Sequence, residues 1–144
     1  MTDRTTIQSI AMLFGGVFLL LGILGFIPGI TTNYDELGFA GVDSEAELLG
    51  IFQVSILHNI VHLAFGIAGL ALAKTLEGAR TFLIGGGVIY LVLWLYGLLI
   101  DRGGDANFIP INTAVNWLHF GLAVVMIGAG FLLAREPRPR TTTV

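Results

Sequence analysis

The sequence predicts an all-α membrane protein, a bundle of four transmembrane helices forming a single domain of 144 residues. Three observations predict it. Apolar residues make up 55% of the chain and charged ones only 12%. A soluble domain of this size has too much surface to cover with so few charges. Four apolar stretches, 10–27, 54–73, 82–100 and 114–134, are each long enough to cross roughly 30 Å of hydrocarbon as a helix. Within each stretch the small and polar residues recur at helical spacing and share one face.

The first stretch is too long for a signal-peptide core and is followed by no small-residue cleavage site, so it reads as a retained helix. Pro28 and Gly29 break it at the water interface, where freed backbone groups are hydrated. Residues 31–49 form an acidic outer loop. Its second half, 43–49, reads as the start of a helix, with Asp43 or Ser44 as cap and Glu47 near the third helical position. The second and third apolar stretches are joined by a short loop containing Lys74 and Arg80. Residues 101–113 read as an irregular connection into the fourth stretch, and the tail 135–144 reads as disordered.

Basic residues orient the bundle. Arg4, Lys74, Arg80, Arg135, Arg138 and Arg140 fall on one side, leaving only Arg102 on the other. Basic residues are retained on the cytoplasmic face, which predicts a multi-pass protein of the bacterial inner membrane with both termini cytoplasmic. A net charge of −3 without any basic run excludes a nucleic-acid partner. The chain has no cysteine, so disulfides, thiolate metal sites and thiol catalysis are excluded.

A faint internal repeat runs through the chain. Gly15-Gly16-Val17 matches Gly86-Gly87-Val88, and Leu57-His58 matches Leu118-His119. This predicts two tandem helix hairpins related by a pseudo-two-fold axis along the membrane normal, with His58 and His119 as symmetry mates. The proposed interior stripes are Gly15, Gly22, Gly25 and Gly29 on helix 1, and Ser55, His58, His62, Gly66, Gly69 and Ala73 on helix 2. Helix 3 contributes Gly86, Tyr90, Trp94 and Gly97, and helix 4 Asn112, Asn116, His119, Ala123 and Gly130. Small residues let membrane helices approach closely and polar ones avoid lipid, so the four stripes face one another.

All three histidines lie within the apolar stretches, and an ionisable group there is a candidate functional site. His58, His62 and His119, with Asn59, Asn116, Tyr90 and Tyr96, form the candidate cluster. Three readings of it remain open. The first is non-enzymatic: the cluster is polar glue, each imidazole donating to one neighbour and accepting from another, in a protein whose partners are the bilayer and either a second copy or another membrane protein. The second is ligation, with His58 and His62 at i, i+4 sharing a metal, or His58 and His119 holding a haem b from opposite faces. The third is a pocket for a quinone or other small apolar ligand, with His and Tyr as hydrogen-bond donors. No carboxylate lies within the four stretches, which argues against a di-metal centre or an acid–base relay. No nucleophile–base pair or phosphate loop points to an enzyme.

The segments 49–63 (Leu-Gly-Ile-Phe-Gln-Val-Ser-Ile-Leu-His-Asn-Ile-Val-His-Leu) and 112–119 (Asn-Thr-Ala-Val-Asn-Trp-Leu-His) resemble a family of bacterial four-helix membrane proteins catalogued as domain of unknown function 4383. The resemblance covers nearly the whole chain. It implies a membrane location and four helices, and no particular activity. The family often carries Asp in the second motif where this chain has Val115, so any role of that carboxylate is absent here.

Overall fold

The computed structural model describes residues 4–133. Its helices are α1 Thr6–Leu24, α2 Ile56–Leu72, α3 Leu76–Leu99 and α4 Thr113–Leu132. The predicted tail, and Ala134 at the predicted end of helix 4, lie outside the described residues. Three of the four helices (α1, α3 and α4) are long and apolar enough to cross a membrane. Large apolar side chains such as Leu13 and Leu20 on α1, Val92 on α3 and Val125 on α4 point outward. The histidines, Asn59, Asn116 and the glycines Gly15, Gly66, Gly87 and Gly97 face inward, which is the profile of a bundle solvated by lipid.

The helices start and stop where polar groups can satisfy backbone, not where hydropathy changes. α1 begins four residues before the apolar run, because the Thr5 N–H and hydroxyl both donate to Gln8 Oε1. The Gln8 amide reaches across to donate to the carbonyls of Ala73 and Lys74 at the end of α2. The same helix ends before Pro28, since the Thr31 hydroxyl donates to the Leu24 carbonyl and Tyr34 to that of Phe26. Gly29 therefore leaves the interior stripe and sits in a turn with φ +93°. α3 starts six residues early, capped by the Thr75 hydroxyl, which accepts from Gly78 N.

The outer loop overturns one expectation. Residues 43–49 do not start a helix; they enter a small antiparallel sheet of β1 Thr31–Thr32, β2 Glu47–Leu48 and β3 Phe52–Gln53, in that order. Thr31 pairs with Leu48, and Leu48 with Phe52. The reason is local. The Ser44 hydroxyl donates to the Val54 carbonyl and accepts from Gly38 N, which holds it within the outer loop and away from a helix N-terminus. Ala46, Leu48 and Val54 bury together under the sheet. Leu49 and Gly50, both at positive φ, reverse the chain between β2 and β3. Val54 stays extended to donate to the Ala46 carbonyl, so α2 begins only after Ser55. Its 17 residues span about 26 Å, short of the 20-residue helix the hydropathy predicts.

α1 packs chiefly on α2, and α3 on α4, giving two tandem hairpins. The repeat register differs from the one read from the sequence. A Cβ on Gly15 would meet Gly66 O at 3.2 Å and Leu70 N at 2.8 Å, while one on Gly87 would meet Ala123 O at 3.2 Å and Ile127 N at 3.0 Å. Gly25 lies against the Asn59 carboxamide, and Gly97 against that of Asn116. These pairs align Gly15 with Gly87 and Gly25 with Gly97, 72 residues on, and Asn59 with Asn116 and Gly66 with Ala123, 57 residues on. His119 is thus the mate of His62, one turn deeper than His58. The position equivalent to His58 is Val115.

Candidate functional site

The histidine cluster is built by two helix N-termini. Ser55 caps α2 by accepting from His58 N, and Asn112 caps α4 by accepting from Val115 N. Each cap is followed four residues on by a buried asparagine (Asn59 or Asn116) and seven on by a buried histidine (His62 or His119). With 3.6 residues per turn, both positions return to the bundle interior.

At the centre, Phe18 and Tyr90 stack with ring centroids 5.4 Å apart and planes 5° from parallel. Phe18 lies 6.0 Å from His62, and Tyr90 lies 5.2 Å from His119. The four rings form a pseudo-symmetric row, histidine at each end. His58 breaks the symmetry. Its ring sits 4.5 Å from that of His62 and 6.4 Å from that of His119.

The three imidazoles line a cavity of about 40 Å³. Phe18 and Leu21 of α1, Leu118 and Leu122 of α4, and Leu48, Phe52 and Val54 of the outer hairpin complete its wall. Val115 also faces it, so the side opposite His58 is apolar. Nδ1 of all three histidines is buried and has no hydrogen-bond partner among the described residues. A neutral imidazole offers one N–H donor and one acceptor nitrogen, so the cluster holds unused donor and acceptor capacity.

The other predicted site residues do not line the cavity. Asn59 and Asn116 are fully buried, but their carboxamides press on Gly25 and Gly97, not into the cavity. Tyr90 contributes its ring to the central row and packs edge-on against Phe65. The Tyr96 hydroxyl donates to the Ala106 carbonyl in the outer loop, so this residue belongs to the cap of the bundle. Sequence reasoning missed Phe18 and the roof formed by Leu48, Phe52 and Val54. A signal for the roof existed: alternating Ala46/Leu48 and Phe52/Val54 flank a glycine-containing turn.

Among the described residues no group of three or more His, Asp or Glu is arranged to hold a metal ion. The cavity is also an order of magnitude smaller than pockets that enclose a cofactor, roughly 300–1,000 Å³. A porphyrin does not fit between His58 and His119 as they are packed. The space suits the polar end of a smaller molecule, about the room of three waters.

The profile of a family described as Domain of unknown function (DUF4383) matches residues 8–132. No curated protein and no solved structure matches the chain.

Proposed function

The chain belongs to the DUF4383 family, and from the geometry of its cavity we propose that it is a non-enzymatic membrane protein that binds the hydrogen-bonding end of a small apolar molecule. A single observation carries the reading. Three buried imidazoles converge on one cavity, and their Nδ1 atoms are unpartnered. Polar glue requires each imidazole to bond neighbouring side chains, and among the described residues none of the three has a side-chain hydrogen-bond partner. An unpaired buried polar group costs about 1–3 kcal/mol, and a ligand that pairs it recovers that cost.

The rest of the wall sets the ligand class. Phe18, Leu21, Leu118 and Leu122 are apolar, and α1 and α4 touch little, so the apolar body lies between these helices toward the lipid. Neutral imidazoles then meet carbonyl or hydroxyl groups at the polar end. A quinone has this chemistry, its two carbonyls accepting N–H donors and its ring packing on the aromatic row. The asparagine–glycine contacts keep a purely structural role in this reading.

The Lys74–Arg80 side is assigned to the cytoplasm, because Arg4 lies at the same end of the bundle and Arg102 at the other. The cavity then opens in the outer half of the inner membrane.

Thermal unfolding of purified protein in detergent with a short-tailed benzoquinone tests the proposal. The midpoint should rise with the logarithm of quinone concentration, by the equivalent of about 2.7 kcal/mol at a hundredfold excess over Kd. His58→Gln and His119→Gln should each lose most of that rise, and Tyr96→Phe should keep it. Wild-type protein indifferent to the quinone, or variants that respond as wild type does, would overturn the assignment.

A further inference from the structure

The outer cap exposes four large apolar side chains to its surroundings: Phe39 at 66%, Leu49 at 56%, Ile51 at 53% and Phe108 at 52%. Each stands at the outer end of a different helix. The Leu49 N–H donates to the carbonyl of Ile30, just past α1, where Ile27 is also exposed. The Phe39 carbonyl accepts from Leu57 N in the first turn of α2. Phe108 packs edge-on to Tyr96 near the end of α3, below the exposed Leu98 and Leu99. The Ile51 carbonyl accepts from the Asn112 side chain that caps α4, above the exposed Trp117.

We propose that these four residues form an interfacial collar that seats the outer cap in the headgroup region of the bilayer. Their occupant is the lipid boundary. Each is tied to the outer end of a different helix beside that helix's own exposed apolar residues, and no helix end lacks one. Membrane interfaces take up aromatic and aliphatic side chains of this kind to a depth of roughly 5–10 Å. Leu49 carries a further argument. It holds a left-handed backbone, φ 57°, which a side chain with a Cβ adopts only at a cost, and it is exposed at the hairpin tip. In water that conformation gains nothing. In lipid the exposed leucine is solvated. The acidic residues of the cap, among them Asp35, Asp43 and Glu45, are exposed too and remain on its aqueous side.

Because the chain has no cysteine, each position can carry a unique thiol. Phe39→Cys, Leu49→Cys, Ile51→Cys and Phe108→Cys are made in the full chain, labelled with a nitroxide and reconstituted in phosphatidylcholine vesicles. Collision with oxygen, which dissolves in lipid, is compared with collision with a water-soluble nickel chelate. Leu20→Cys is the lipid reference and Glu45→Cys the water reference. At least three of the four labels should show an oxygen-to-nickel ratio several-fold above that at Glu45 and closer to that at Leu20. Two or more labels at the Glu45 value would overturn the collar. So would dipolar broadening at these sites that vanishes on dilution with unlabelled protein, which would mean a second copy covers the surface. All variants are exposed substitutions, and matching wild-type melting before labelling qualifies each for the comparison.

Discussion

Gly66→Ala is the substitution that tests most directly whether the α1–α2 hairpin is zipped by backbone contact. A Cβ at residue 66 would lie 2.5 Å from Leu19 N, 2.8 Å from Gly15 O and 2.8 Å from Leu19 Cα. Non-bonded heavy atoms sit best at about 3.5–4.0 Å, so the shortfall is about 1 Å. All three neighbours are backbone atoms of α1, so no rotamer change relieves the clash and α1 has to move as a body. A gap of that size forfeits about a quarter to a half of the dispersion energy along the seam. Overpacking of this type costs about 1–3 kcal/mol, against which alanine's helix preference returns about 1 kcal/mol. The net expectation is a loss of up to roughly 2 kcal/mol. Gly121→Ala is the control, since a Cβ there meets nothing within 4 Å and only the helix preference acts. Reversible unfolding in mixed detergent micelles, followed by far-UV circular dichroism, gives both values under one protocol. Equal midpoints for the two variants, or a gain for Gly66→Ala, would refute the packing argument and the inward assignment of the α2 stripe with it.

Further tests address other contacts. A Cβ on Gly25 would fall within the Asn59 carboxamide, so Gly25→Ala should be strongly destabilising in the wild type and much less so in an Asn59→Ala background; a double-mutant cycle should return a coupling of about 1–3 kcal/mol, and additivity would sink the contact. Asn112→Asp keeps the acceptor that caps α4 but removes the amide that donates to Ile51 O at 2.8 Å. Hydrogen exchange at the β2–β3 hairpin should therefore accelerate by the equivalent of about 1 kcal/mol while α4 amides are unchanged; uniform exchange across both would mean no latch. Reporter fusions after Lys74 should read cytoplasm, and those after Asp43 the opposite side, and a reversed pair would overturn the orientation.

The sequence carried the site's composition but not its pairing. His58 looked like the mate of His119 because both follow a leucine and both stand sixteen residues before a basic residue. The stronger signal was the repeated Asn-x-x-His, Asn59 to His62 and Asn116 to His119, and its register became clear only when each asparagine was seen against its own glycine, Gly25 or Gly97. Tyr96 joined the candidate cluster from its position in the third apolar stretch. Depth along a helix says nothing about the direction a side chain takes, and this one bonds outward to Ala106.

What the sequence determined by itself is the solvent and the architecture. Apolar runs at membrane length, each with a stripe of glycine and polar residues along one face, require lipid outside and close helix contact inside, because in hydrocarbon every backbone group must be satisfied within its own helix. What only the tertiary structure decided is where that rule stops. Ser44 bonds across the outer loop where it could have capped a helix, Val54 pairs with Ala46 where it could have extended α2, and both choices rest on which carbonyl lies within reach after folding. Their choices shortened α2, turned 43–49 into a sheet, and laid Leu48, Phe52 and Val54 over three histidines. A row of polar residues in the sequence became the wall of a cavity because a roof from another part of the chain was folded onto it.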